Sequence, residues 1–281
     1  MEYFEFISNL GVNEMENIPN SKFKHGYRLS IESYFDPHDA ETFVTKYWAL
    51  TIPIGISYVI TVFTLQSLLK DKKPYKLSWF EPLWNGLLAI FSFIGLIRIS
   101  EEMFYTLKDE GIYASICHSF HADTVSANWY LFFAFSKFLE LGDTILLVLK
   151  KKKLTFLHCY HHAIVLVYTS QSGAEQIGAG RWYIWMNFLA HSLMYTYFTI
   201  MSLNMRSIKN YACYVTFIQT LQMFIGIIIS GSVYFVKRYT KYRCKQTYFN
   251  LYFCFTIYLS FAFLFVKFFA NSYYRKKIKT I

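Results

Sequence analysis

Seven long stretches of predominantly apolar residues divide the sequence, and shorter polar or basic segments separate them. Each stretch has roughly the 20 residues that an α-helix needs to cross the hydrocarbon core of a bilayer. The pattern therefore predicts an all-α, polytopic membrane protein with seven transmembrane helices. These stretches are residues 47–69, 79–99, 129–149, 154–172, 181–203, 211–236 and 248–269.

The same pattern predicts three regions. Residues 1–46 are polar, include Pro19 and Pro37, and form an N-terminal lead-in. Residues 47–269 form a single seven-span domain without an internal repeat. Residues 270–281 form a basic tail.

Composition agrees with a membrane protein and excludes several other classes. Only 16% of the 281 residues are charged, whereas a soluble domain has about 25%. The net charge of +10 comes from short basic loops rather than from a basic stripe with interleaved aromatics, so we expect no binding of nucleic acid. The five cysteines show no CxxC spacing, which argues against a zinc or iron–sulfur site.

Loop charge predicts the orientation, because basic residues gather on the cytosolic side of a membrane. The loops at 70–76, 150–153 and 206–209 and the tail are basic, whereas the long 100–126 connection is acidic. We therefore expect a lumenal N-terminus and lead-in and a cytosolic C-terminus. The basic loop at 237–245 disagrees with this orientation, since it falls in the lumen.

Two lysines near the C-terminus have the spacing of a dilysine signal for retrieval to the endoplasmic reticulum. Lys277 and Lys279 lie five and three positions from the C-terminus. Such a signal is recognised by a cytosolic receptor and does not anchor the protein. The alternative is an ordinary basic tail on the cytosolic side.

Four consecutive spans each have polar side chains at helical spacing, which places them on one face of each helix. Polar residues inside a bilayer usually face the interior of a helix bundle. We therefore expect the four faces to enclose one polar chamber. The faces comprise Lys137, Glu140, Asp143 and Thr144 on the third span, His158, His161 and His162 on the fourth, Asn187, His191, Met194, Tyr195 and Phe198 on the fifth, and Thr216, Gln219 and Gln222 on the sixth.

The histidines admit two chemistries. A membrane di-iron desaturase or hydroxylase needs about eight ligands, and a single zinc needs three protein ligands and a water. Only four of the eight histidines lie in the predicted chamber, because the others fall in the lead-in or the long loop, and His161 is adjacent to His162. We expect no metal and no other cofactor, with the di-iron enzyme as the alternative. The four other histidines are His25, His38, His118 and His121.

Acyl transfer is the second chemistry. Neutral imidazole is a competent nucleophile and general base near neutral pH, and a second imidazole can move the proton. Buried Asn or Gln amides can donate to a thioester oxyanion. Cys159 is a further candidate nucleophile, and a lipid-binding or transport protein without catalysis remains open.

The four polar faces together resemble the motifs of the very-long-chain fatty acid elongase (ELO) family. They occur in the same order, and only Phe198, often Tyr in the family, departs from the pattern. The matches are Lys137-x-x-Glu140-x-x-Asp143-Thr144, the histidine box His158-x-x-His161-His162, Asn187-x-x-x-His191-x-x-Met194-Tyr195-x-Tyr197, and Thr216-x-x-Gln219-x-x-Gln222.

This resemblance implies an endoplasmic-reticulum enzyme that joins a long-chain acyl-CoA to malonyl-CoA and yields 3-oxoacyl-CoA, CO2 and CoA. It implies six helices around an acyl tunnel that opens to the cytosol, and partners that complete the cycle: a ketoacyl-CoA reductase, a dehydratase and an enoyl reductase.

The resemblance also implies roles for individual residues. Residues 150–153 become candidates for binding the CoA phosphates. We expect an acyl-imidazole at His161, with His158, His162 and His191 as base, orienting group and thioester-binding group in an unassigned order. The implied substrate-binding residues are Lys137, Glu140, Asp143, Asn187, Tyr195, Gln219 and Gln222.

The resemblance also implies a lumenal disulfide between Cys117 and Cys244. Gly142, Tyr160 and the Met186-Asn187 pair are more similar to the branch that uses saturated and monounsaturated acyl-CoAs, with branched-chain substrates equally open. Acyl chain length does not follow from the sequence.

Overall fold

A computed structural model describes residues 18–33, 36–120 and 125–274, and most of these residues are helical. Within these ranges the one β-type pairing is an isolated bridge between Asn20 and Ser119. The all-α prediction is therefore confirmed. The α-helices are α1 (Pro37–Tyr47), α2 (Thr51–Leu68), α3 (Phe80–Tyr105), α4 (Gly111–Cys117), α5 (Val125–Leu149), α6 (Phe156–Ala174), α7 (Gly180–Ser202), α8 (Ala212–Tyr239) and α9 (Tyr248–Phe269).

Each of the seven predicted spans coincides with one long helix, namely α2, α3 and α5 to α9. Among the residues that the structure describes, four helical segments are long and apolar enough to cross a bilayer, which makes this a multi-pass membrane protein. The other three long helices, α5, α6 and α7, have the polar faces described above. The count of seven spans therefore stays a prediction. The four segments are Glu41–Leu68, Phe80–Cys117, Ser207–Tyr239 and Tyr248–Tyr273.

Six long helices form a closed ring, and the seventh packs outside it. Around the ring, α3 contacts α7, α7 contacts α8, α8 contacts α9, α9 contacts α6, α6 contacts α5, and α5 returns to α3. Helix α2 packs against α5 and α6 from outside. The closest approach of α3 to α7 depends on Gly95, where a Cβ atom would lie 2.6 Å from the Phe188 ring. The ring leaves a central space that all six helices border.

The described part of the lead-in is attached to the bundle by a buried ion pair. Glu32 has no exposed surface, and its carboxylate accepts hydrogen bonds from Arg98 Nε at 2.7 Å and Arg98 Nη2 at 2.9 Å. Trp129 Nε1 donates to the same carboxylate at 2.7 Å. We call Arg98 and Glu32 the cap pair. It connects the lead-in to α3 and α5.

A disulfide joins Cys117, at the end of α4, to Cys244, just before α9. The neighbouring backbone strengthens this junction, since the Lys245 N–H donates to the Cys117 carbonyl at 2.9 Å. The Gly178 N–H in turn donates to the Lys245 carbonyl at 2.8 Å. Three connections are therefore held together at one end of the bundle. Lys277, Lys279 and His121 lie outside the described residues.

Candidate active site

The helix ring encloses a cavity of about 890 Å³, which runs from the α6 histidines to the end of the bundle where α5 ends and α6 begins. The cavity brings together most of the residues predicted for the polar chamber. Lys137 and Glu140 are not among the lining residues and lie behind the wall. The predicted site residues that line the cavity are Asp143, His158, His161, His162, Asn187, His191, Tyr195, Gln219 and Gln222.

The three histidines of α6 occupy its first two turns. Thr155 caps the helix, because its side chain accepts the backbone N–H of His158. The His158 and His162 rings lie 4.5 Å apart between centroids, and the His161 and His162 rings lie 5.3 Å apart. The Nε2 atom of His158 is buried and has no hydrogen-bond partner among the described residues. A helix start thus delivers three adjacent imidazoles to the cavity.

Lys137 and Glu140 form a buried ion pair on α5 with Nζ to Oε1 at 2.7 Å. Both side chains are about as inaccessible as core residues, with 3% of each residue exposed. Lys137 Nζ also donates to the Asn187 amide oxygen at 2.9 Å. The amide nitrogen of Asn187 is therefore the end that remains for other partners.

His191 on α7 is held from two sides. Its Nδ1 lies 3.5 Å from Glu140 Oε1, which also accepts the Lys137 ammonium. Its ring packs edge-to-face against the Tyr195 ring, with centroids 5.4 Å apart. Contact of Nδ1 with a carboxylate fixes the orientation of the ring. Nε2 is then the ring nitrogen that is available for another partner.

Asp143 has a partner for each carboxylate oxygen. Trp84 Nε1 donates to Oδ1 at 2.6 Å, and Tyr195 Oη donates to Oδ2 at 2.6 Å. Trp84 belongs to α3, which the sequence analysis treated as a purely apolar span. An indole in an apolar helix has no sequence signal that separates it from a lipid-facing aromatic.

The glutamines of α8 complete the wall. Gln219 Nε2 lies 3.0 Å from Met194 Sδ, so its amide nitrogen has a weak acceptor within reach. Gln222 is buried, with 7% of the residue exposed. Two further amides thus border the space that the histidines enter.

Cys159 does not face the cavity. It is buried in an apolar cluster with Tyr58, Val62 and Val148, on the side of α6 that packs against α2 and α5. This position gives no support to a thiol nucleophile. Among the described residues, no group of three or more His, Cys, Asp or Glu side chains is arranged to hold a metal ion.

Basic residues line the cavity mouth together with one acidic residue that sequence reasoning missed. Lys76, Lys150 and Lys152 line this end, and Glu81 lies beside them. Glu81 is paired with Lys150, and its other oxygen lies 3.4 Å from Lys152. Lys151 instead contacts backbone carbonyls of the loop after α2. The basic loop therefore contributes two of its lysines to the cavity.

Comparison with known proteins agrees with this geometry. The model of the ELO family, described as GNS1/SUR4, matches residues 43–281. The chain is 42% identical to a putative fatty acid elongase 4 of Caenorhabditis elegans, over 99% of this chain and 97% of the relative. It is 36% identical to very long chain fatty acid elongase 3 of Homo sapiens (89% and 94% covered) and 32% identical to very long chain fatty acid elongase 6 of Rattus norvegicus (88% and 92%). The chain therefore belongs to the ELO family, as its four polar motifs predicted.

Proposed function

We propose that this protein is the condensing enzyme of fatty acid elongation, a 3-oxoacyl-CoA synthase. It joins a long-chain acyl-CoA to malonyl-CoA and releases 3-oxoacyl-CoA, CO2 and CoA. Its role in fatty acid elongation follows from the family. The observation that carries the specific reaction is the convergence of four imidazoles, His158, His161, His162 and His191, with the Asn187 amide in one enclosed cavity.

The first half-reaction is acyl transfer to His161. The neutral imidazole attacks the thioester carbon, the C–S bond breaks, and the imidazole proton reaches the CoA thiolate through a neighbouring imidazole. The products are an acyl-imidazole and free CoA. We assign the role of proton carrier to His191, because its Nδ1 atom lies 3.5 Å from the Glu140 carboxylate, which fixes the ring.

The second half-reaction forms the carbon–carbon bond. Malonyl-CoA loses CO2, and the electron pair of the broken bond becomes an enolate at the carbon next to the thioester. This carbon attacks the acyl carbon, and His161 leaves as an imidazolate that takes up one proton. The sum consumes one proton for each 3-oxoacyl-CoA and regenerates the enzyme.

The thioester oxygen needs a donor as negative charge develops on it. The Asn187 amide nitrogen meets this need, because Lys137 holds the amide oxygen at 2.9 Å and so orients the nitrogen away from itself. Gln219 and Gln222 on the neighbouring helix α8 are candidates for the second substrate's thioester. Lys137 and Glu140 then orient the binding residues and do not touch substrate themselves.

The basic mouth of the cavity is suited to bind the phosphates of CoA. Lys76, Lys150 and Lys152 provide the cations. Glu81 contacts two of these lysines, so a phosphate that binds there competes with a carboxylate. Weaker net attraction would favour release of free CoA after the first half-reaction and of 3-oxoacyl-CoA after the second.

The proposed location is the endoplasmic-reticulum membrane. Loop charge supports a lumenal N-terminus with the mouth and C-terminus in the cytosol, and the seven apolar stretches support seven spans. Lys277 and Lys279 act as the retrieval signal in this proposal. The product has a 3-oxo group, so its use in elongation requires ketoacyl-CoA reduction, dehydration and enoyl reduction. Enzymes of these three classes are the proposed partners, and saturated or monounsaturated acyl-CoAs are the proposed substrates.

The decisive experiment incubates purified protein with acyl-CoAs of several lengths and labelled malonyl-CoA. A labelled 3-oxo product from at least one length is expected, and no product from any length would reject the proposal. Incubation with acyl-CoA alone, followed by peptide mass spectrometry, should find the acyl group on His161 and not in His161→Ala. His118→Ala is the matched control, since this histidine lies at the opposite end of the bundle, and it should retain both signals.

A further inference from the structure

We infer that Trp84 is a positioning residue of the active site, acting on His191 through Asp143 and Tyr195. This inference rests on the proposed function, because it concerns how one histidine of the condensing enzyme is held. Trp84 belongs to none of the four polar motifs, and its side chain is not among those that line the cavity.

The contacts form a continuous path across three helices. The Trp84 indole on α3 donates to Asp143 Oδ1 on α5, and the Tyr195 hydroxyl on α7 donates to Asp143 Oδ2, each at 2.6 Å. Both carboxylate oxygens therefore have a charge-assisted hydrogen bond, the stronger kind of hydrogen bond. Neither oxygen of Asp143 can move without losing a partner.

Gly142 makes this arrangement possible. A Cβ atom at this position would lie 2.8 Å from Cζ2 of Trp84 and 3.0 Å from Cη2. Real Cβ atoms essentially never approach a ring carbon that closely, so the indole lies directly on the backbone of α5. The missing side chain at residue 142 thus allows the indole N–H to reach the carboxylate of the next residue.

Tyr195 connects Asp143 to His191, because it contacts both side chains. Its hydroxyl is committed to Asp143, so its ring has one orientation, and that ring meets the His191 ring edge-to-face at 80°. Glu140 contacts the Nδ1 atom of the same imidazole. With the ring fixed from two directions, loss of either support should misplace the nitrogen that carries the proton.

The chain contains a matched control. Trp129 Nε1 donates to the buried carboxylate of Glu32 at 2.7 Å, the same kind of bond at nearly the same length. Neither Trp129 nor Glu32 lines the cavity. Trp129→Phe and Trp84→Phe therefore remove equivalent bonds, one remote from the site and one connected to it.

The test measures kcat and KM for 3-oxoacyl-CoA formation in wild type, Trp84→Phe, Tyr195→Phe, the double variant and Trp129→Phe, with thermal stability in parallel. Trp84→Phe should lower kcat about tenfold, the effect of one lost charge-assisted bond, and change KM less than about twofold. The double variant should be no slower than Tyr195→Phe alone, because both act on one path. Trp129→Phe should lose stability and keep kcat.

Gly142→Ala provides a second route that leaves every hydrogen-bonding group in the chain. It should separate the indole from Asp143 and reduce kcat in the same direction, and it carries the test if Trp84→Phe does not accumulate as folded protein. Wild-type kcat in folded Trp84→Phe or in Gly142→Ala would overturn the inference, as would Trp84→Phe and Tyr195→Phe effects that multiply. Failure of the proposed function is distinguishable, since wild type would then form no 3-oxo product.

Discussion

Two buried ion pairs, one midway along α5 and one between α3 and the lead-in, show how the same interaction can have different roles. Lys137 and Glu140 are three residues apart on one helix and face the cavity wall. Arg98 and Glu32 are 66 residues apart and join α3 to the lead-in. Both pairs have side chains with at most 4% exposure.

The difference lies in what each pair holds in place. A pair within one helix brings no distant segments together, so its remaining hydrogen-bonding capacity can orient neighbours, here Asn187 and His191. The cap pair fixes a segment that has few other buried contacts. Breaking the first should therefore reduce turnover, whereas breaking the second should reduce stability.

Arg98→Met should have the largest effect. It leaves the Glu32 carboxylate buried without its cation, which costs about 3–5 kcal/mol of stability. Thermal unfolding in detergent measures this loss, and Arg238→Met at an exposed position is the control. Unchanged stability with lost turnover would show that the cap pair belongs functionally with the active site.

Removal of the disulfide tests the same end of the molecule by a covalent route. Cys117→Ser should lower stability by about 2–4 kcal/mol, because a link across 127 residues no longer restricts the unfolded chain. Cys213→Ser, at a free cysteine, is the control. Alkylation of Cys117 in unreduced protein would contradict the prediction.

Neutralising both members of each pair sharpens the comparison. Lys137→Met with Glu140→Gln leaves no unpaired charge, yet Asn187 loses its donor, so kcat should fall about a hundredfold, near 2.7 kcal/mol, with little loss of stability. Arg98→Met with Glu32→Gln should recover much of the stability and keep kcat. Steady-state kinetics beside thermal unfolding gives both values, and normal kcat in the Lys137–Glu140 double variant would contradict the assigned role.

The buried Glu175 carboxylate should give the smallest effect on stability. Glu175 accepts hydrogen bonds from Gln171 and Thr247, and burial raises its pKa to about 7. Folding therefore favours the protonated form, and stability should fall by about 2–3 kcal/mol as pH rises from 4.5 to 7. Glu175→Gln should remove this dependence, and an identical pH profile in the variant would refute the assignment.

The pKa of Glu32 is shifted in the opposite direction, so the pH dependence of stability also tests the cap pair. Burial alone would raise its pKa, but the hydrogen bonds from Arg98, the Leu29 N–H and Trp129 hold the pKa below the usual range. Its contribution to stability is present above pH 4.5 and is lost as pH falls further. The cation thus reverses the pH response of a buried carboxylate.

The sequence was sufficient for the helices and for most of the cavity. Apolar runs located every long helix, because burial in lipid requires continuous apolar length. Helical spacing predicted that His158, Asn187 and Gln222 border one space, and all three line the cavity. It could not separate Asp143, which lines the cavity, from Glu140 one turn earlier, since a helical face is wider than the wall it borders.

The remaining contacts depend on distances that spacing along one helix does not contain. In the sequence, Trp84 cannot be distinguished from an ordinary aromatic residue of an apolar helix. Its polar partner, Asp143, comes within reach only because α3 packs closely against Gly142. In the sequence, Glu32 is one acidic residue in a polar lead-in, and its partner Arg98 lies 66 residues away. Both partnerships come from tertiary packing between segments.

The Cys117–Cys244 disulfide has a topological consequence. It closes residues 117–244 into a covalent ring, and the four proposed catalytic histidines lie within that ring together with Asn187, Gln219 and Gln222. A protease that cuts the loop between α7 and α8 would leave both fragments attached to each other until the disulfide is reduced. Helices α6 to α8, which carry these residues, are therefore linked by two chain paths in place of one.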